Sequence, residues 1–111
     1  RNPKLLEMIT RINSLYDFHP VVNLGKISHD EVFEIYGRSK ALLFPSLKES
    51  LGLPLIEANQ LGLKVLVSNL PFANDILVNP ITFDPKSSDS IATVIMNFLQ
   101  GTYDEVVQSF K

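Results

Sequence analysis

Short apolar runs alternate with segments of helical period along nearly the whole chain, and this alternation restricts the available folds more than any other feature. Val21–Leu24, Ala41–Phe44, Lys64–Val67 and Ile81–Phe83 are too short for helices and are flanked by Gly, Pro, Ser, Asn or Asp, the pattern of buried strands. The segments around them read as helices. Leu5, Leu6, Ile9, Ile12 and Tyr16 recur at helical spacing and Pro3 suits a first turn, which predicts a helix from about Pro3 to Tyr16. Ser28 and Glu31 stand at capping-box spacing ahead of Val32, Phe33, Ile35 and Tyr36, predicting a helix from about His29. A third is expected over Pro54–Leu61, ended by Gly62 in a left-handed conformation. After a turn at Asn69–Pro71, Phe72–Leu77 reads as a short helix. Ser88 or Asp89 would cap a helix carrying Ile91, Val94, Ile95, Phe98 and Leu99. Beyond Gly101, the spacing of Tyr103, Val106, Val107 and Phe110 predicts a last amphipathic turn or two. Strands that alternate with helices pair in parallel through right-handed crossovers. The expected class is therefore α/β: a three-layer α/β/α arrangement of about four mostly parallel strands.

Composition narrows the function classes. With 111 residues, 45% of them hydrophobic, the chain is sized for one modest core. Ten basic residues against twelve acidic ones give a net charge of -2, with no basic run to attract nucleic acid or acidic lipid. There is no cysteine, hence neither a disulfide framework nor a thiolate metal site. His19 and His29 are too few and too distant for a ligand cluster, and each reads more simply as a surface or capping histidine. No apolar run reaches the roughly 18 residues of a membrane span.

The chemistry-bearing stretch is ALLFPSLKESLGLPLIEANQLG, Ala41 to Gly62. A strand stops at Pro45 and Ser46, a loop follows, and a helix opens near Pro54. In a parallel sheet that is the edge where ligands collect. Glu49 would sit in the loop and Glu57 in about the first turn of the helix. Ionised carboxylates only accept hydrogen bonds, and two of them along a crevice suit a polyol. The backbone N–H groups of Ser50, Leu51, Gly52 and Leu53 could meet a phosphate or hydroxyl oxygen, with Gly52 allowing close approach. Structural roles compete at each position. Glu57 could merely complement the helix dipole, a contribution of about 0.3–1 kcal/mol. Glu49 beside Lys48 could be a solvated charge, and Gly52 with Pro54 a helix-start device. A hydrolytic acid and base pair is disfavoured, since nothing supplies the contrasting environments it needs.

The segment FPSLKESLGLPLIEANQLGLKVLVSN resembles the signature of retaining glycosyltransferases with the two-domain GT-B fold, the large group-1 family. Shared are a strand ending in Pro-Ser, a Glu, seven residues with Gly-Leu-Pro inside, Glu-Ala, and a Gly shortly after. NLGKISHDEVFEIYGRSKALLFPS and ITFDPKSSDSIATVIMNFL resemble the flanking strands and helices, so the likeness runs from about Val21 to Leu99. It implies a Rossmann-like domain, residues 1–111 forming one partial domain of a larger enzyme. It also implies a hexosyltransferase that moves a sugar from a nucleoside diphosphate donor to a glycan or lipid-linked acceptor, as in polysaccharide synthesis. By resemblance Glu49, the candidate catalytic residue, touches donor-sugar hydroxyls, Glu57 the ribose hydroxyls, and Ser50–Leu53 the phosphate or sugar. No metal site and no cofactor are implied, since the nucleotide sugar is a substrate. The expected location is cytoplasmic, with peripheral membrane association of the parent left open.

The sequence departs from the family pattern at several positions. Leu51 stands where an aromatic is common, Lys64 where Pro is common, and Asn74-Asp75 where a Glu often follows. The two strands that precede the first helix in the family, with the Arg and Lys that neutralise the diphosphate, have no counterpart, nor has the N-terminal acceptor domain. The isolated chain is accordingly expected to show weak or no transfer activity, and its exposed strand edges to leave self-association as one outlet. A non-catalytic binding or interaction module and a sugar-nucleotide epimerase are the alternative readings.

Overall fold

A computed structural model describes residues 3–14, 34–35, 39–45, 47 and 53–111. In chain order they form α1 (Pro3–Ser14), β1 (Ala41–Phe44), α2 (Leu53–Gln60), β2 (Lys64–Ser68), α3 (Pro71–Ile76), β3 (Leu77–Val78), β4 (Ile81–Phe83), α4 (Ser88–Leu99) and β5 (Ser109–Phe110). Glu34 and Ile35 are helical, within the helix expected from about His29. The strand expected at Val21–Leu24 lies outside the described residues.

β1, β2 and β4 form a parallel sheet with β2 in the centre. Leu42 pairs with Val65 and Phe44 with Val67 on one side of β2, and Leu66 pairs with Ile81 and Ser68 with Phe83 on the other. Because side chains alternate across a strand, successive residues feed two separate cores. On one face Val65 and Val67 pack with Leu55, Ala58, Leu63, Phe72, Ala73 and Leu77, bringing in α2 and α3, with Leu42 and Phe44 partly buried against them. On the other, Leu66, Ile81 and Phe83 pack with Met8 and Ile12 of α1 and Ile91, Val94 and Ile95 of α4. This is the three-layer α/β/α, Rossmann-like arrangement that the alternation of runs implies. No described helix is long and apolar enough to cross a membrane.

Three local expectations need correction. The side chain that caps α4 belongs to Ser87, not Ser88 or Asp89: its hydroxyl accepts from the Ser90 N–H at 3.1 Å. Ser90 is itself committed, its hydroxyl accepting from the Asp84 N–H at 2.9 Å, and Asp89 falls in the first turn of the helix, where its charge complements the dipole. Leu77 does not end α3 but leaves it in an extended conformation, φ -111° and ψ 143°, to pair with Phe110. The helix starts instead at Pro71, where the missing N–H of proline costs nothing. Last, the amphipathic turn expected through Phe110 stops early. Residues 101–105 form turns, and the chain then extends so that Ser109 and Phe110 pair antiparallel with Val78 and Leu77.

Candidate functional site

The three parallel strands end together at Phe44, Ser68 and Phe83, and short bonds hold those ends level. The fully buried Ser68 donates its hydroxyl to the Phe44 carbonyl at 3.3 Å, and the Asn69 N–H donates to the Phe83 carbonyl at 2.8 Å. The Phe44 ring meets Phe72 of α3 edge to face, centroids 6.4 Å apart at 84°. α2, α3 and α4 all begin after one of these strand ends, so their N-termini gather along the same carboxyl edge, where ligands of open parallel sheets bind. The opposite, amino edge is occupied by the C-terminal segment, whose Gln108 side chain lies on the backbone of Val65.

The N-terminus of α4 at this edge is already spoken for. Ser87 caps it, and Asp84 accepts from the Lys86 N–H at 2.9 Å as its own N–H is bound to Ser90. α2 carries no acidic residue in its first turn. Its first residue is Leu53, one position earlier than expected, which makes Glu57 the fifth residue of the helix. The Glu57 carbonyl accepts from the Leu61 N–H at 3.3 Å, inside the regular ladder. Dipole effects fade within the first turn, so the dipole-complementing role loses ground for Glu57, which is half-buried and has an interaction partner.

Of the candidate residues, the structure therefore places the Leu53 backbone and Glu57 on one helix, about one turn apart. Glu49, Ser50, Leu51 and Gly52 lie outside the described residues. Among the described residues no three His, Cys, Asp or Glu side chains come together as a metal cluster would. An open hollow along α1, about 390 Å³, is lined by Leu6, Glu7, Thr10, Arg11 and Ser14; it belongs to the layer on the other face of the sheet from α2. Two residues that shape the sheet edges, Ser68 at the carboxyl edge and Gln108 at the amino edge, have little local signal in the sequence. Ser68 reads as the end of an apolar run, and nothing local marks it as a link between strands. Gln108 carried a faint signal, a polar residue set among Val106, Val107 and Phe110.

Comparison with known proteins gives this edge a family. Residues 13–109 match the sequence profile described as glycosyl transferases group 1. The serotype-specific mannosyltransferase WbdA of Escherichia coli is 43% identical over 63 residues, covering 52% of this chain and 8% of that protein. The O-antigen chain mannosyltransferase RfbU of Salmonella typhimurium is 32% identical over 81 residues, 72% of this chain and 23% of that protein. The phosphatidylinositol N-acetylglucosaminyltransferase gpi3 subunit of Schizosaccharomyces pombe is 28% identical over 87 residues, 78% of this chain and 19% of its own length. The chain thus spans less than a quarter of the length of each of these relatives. With the profile matched over most of its residues and the parallel α/β sheet in place, the chain belongs to the group 1 glycosyltransferase family.

Proposed function

We propose that the chain is the nucleotide-sugar-binding part of a retaining glycosyltransferase, residues 1–111 forming one partial domain of the enzyme. The donor is a nucleoside diphosphate hexose, and the acceptor a glycan or lipid-linked glycan. Relatives named as O-antigen and serotype-specific mannosyltransferases favour mannose as the sugar and cell-surface polysaccharide as the product. On this reading the enzyme works in the cytoplasm, at the inner face of the membrane that carries its acceptor. The observation that carries the proposal is the position of Glu57: half-buried on the helix that opens the carboxyl edge, and past the turn where a carboxylate would serve the dipole.

In this reading the backbone amides at the start of α2 face the diphosphate, since N–H groups at a helix start and the helix dipole favour an anion. Glu57 accepts hydrogen bonds from the ribose hydroxyls, and Glu49 from hydroxyls of the donor sugar. Transfer exchanges the phosphate oxygen on the anomeric carbon for an acceptor hydroxyl oxygen, and the proton of that hydroxyl leaves with the nucleoside diphosphate. The protein contributes by holding donor and acceptor in line and stabilising the leaving diphosphate. Neither a metal nor a cofactor is needed in this scheme.

Calorimetric titration of the intact enzyme with GDP-mannose, UDP-glucose and UDP-N-acetylglucosamine tests it. Binding of at least one, weakened in the Glu57→Ala protein, is expected. Binding to none would overturn the proposal and leave a non-catalytic interaction module as the better reading. Turnover by the isolated 111-residue chain would contradict the assignment of the activity to a larger enzyme.

A further inference from the structure

We infer that Asn59 and Gln108 form a latch that positions α2 for the donor, an inference that rests on the donor site proposed above. The Lys64 N–H donates to the Lys40 carbonyl at 3.2 Å, toward β1. Consecutive residues of a strand turn their N–H and C=O to alternate neighbours, so those of Val65 face the other way, toward β4. The β4 ladder, however, starts at the Leu66–Ile81 pair, which engages the Val65 carbonyl and leaves the Val65 N–H before its first rung. Val65 is fully buried, and without a partner its N–H would be left unpaired away from water.

Gln108 fills that place. Its Oε1 accepts from the Val65 N–H at 2.7 Å, and its Nε2 donates to the Val65 carbonyl at 3.0 Å and to the Asn79 carbonyl at 3.2 Å. A side-chain amide thus stands where the peptide group of an adjoining strand would, meeting one residue with both a donor and an acceptor. The segment that carries it is anchored on either side. Asn79 donates its side-chain amide to the Val107 carbonyl at 3.0 Å, the Lys111 N–H donates to the Ile76 carbonyl at 2.9 Å, and β5 pairs with β3.

The latch then reaches α2. The Gln108 carbonyl accepts from the Asn59 Nδ2 at 3.3 Å, and Asn59 is the second-last residue of α2. Leu55 and Ala58 hold the helix to the sheet by apolar packing, which is non-directional and tolerates small slides and rotations. A polar bridge from Asn59 through Gln108 to Val65 does not. Glu57 is two residues from Asn59, so a rotation of the last turns of α2 carries the carboxylate with it. The latch works from the amino edge of the sheet, away from the proposed donor, and acts on the donor only through α2.

The test uses Asn59→Ala and Gln108→Ala in the intact enzyme. Asn59→Ala is the cleaner change, since it cuts the bridge and leaves Gln108 on Val65. Its donor KM and Kd are expected to rise about 3- to 10-fold, with the acceptor KM unchanged and the far-ultraviolet circular dichroism native. Amide exchange is expected to speed up across Leu53–Leu61 and not in α4. Wild-type donor affinity in folded Asn59→Ala protein would overturn the inference. If the wild-type enzyme binds no sugar nucleotide, the donor reading fails by itself, and exchange decides on the latch: unchanged protection of α2 in Asn59→Ala sinks it. Should Gln108→Ala not fold, Asn59→Ala still decides.

Discussion

Gly62 and Ser87 show how single positions are fixed, one by its backbone and one by its neighbours. Gly62 ends α2 with φ +84°, and a Cβ there would meet nothing within 4 Å. The cost of Gly62→Ala is therefore conformational and not steric, about 1–2 kcal/mol, to be measured by urea unfolding as a lower midpoint with the slope unchanged. Ser87→Ala removes the side-chain cap of α4 and should cost about 1 kcal/mol, while Ser87→Gly should cost only a few tenths. The two positions were not equally legible. A glycine after a helical run signals its own left-handed geometry. Ser87, Ser88 and Ser90 look alike in sequence, and the bond from the Ser90 N–H to the Ser87 hydroxyl is what marks Ser87 as the cap.

Elements were readable where the pattern is local and unreadable where the partner is distant. Ala41–Phe44 and Ile81–Phe83 fall where their short runs predict, because their apolar side chains pack against the cores on the faces of the sheet. The C-terminal segment misleads by the same logic: Val106, Val107 and Phe110 have helical spacing, yet β3 offers Phe110 an open edge and Val65 offers Gln108 a buried N–H and a carbonyl that can accept a second bond. That competition is settled by residues 30 to 45 positions away, outside the reach of any local pattern. Leu77, fully buried between α3 and β5, reports on how much the segment stabilises. Leu77→Ala should cost about 2–5 kcal/mol. Removal of residues 106–111 from the intact enzyme should lower the unfolding midpoint further than Gly62→Ala does, since it unpairs buried backbone as well as uncovering apolar surface. A midpoint left unchanged in a thermal scan would contradict this account of the segment.

At the scale of the whole molecule, the sheet divides two kinds of work. Its amino edge is closed by the C-terminal segment through Gln108, and its carboxyl edge collects three helix N-termini, only one of which carries Glu57 beyond the first turn. The fold class follows from the alternation of runs, whereas the family rests on a signature centred on the two glutamates and on the matched profile. Periodicity could not choose between a ligand-binding and a structural role for Glu57, because both place a carboxylate near a helix start. The direct measurement is the affinity of the intact enzyme for the sugar nucleotide it binds, compared between wild type, Glu57→Gln and Glu57→Ala at equal folded content. A donor site at the carboxyl edge predicts a loss of about tenfold or more for either variant, since an acceptor-only group with two oxygens is removed from paired hydroxyls. Equal affinity in all three proteins would show that the donor, if bound at all, is not held by Glu57.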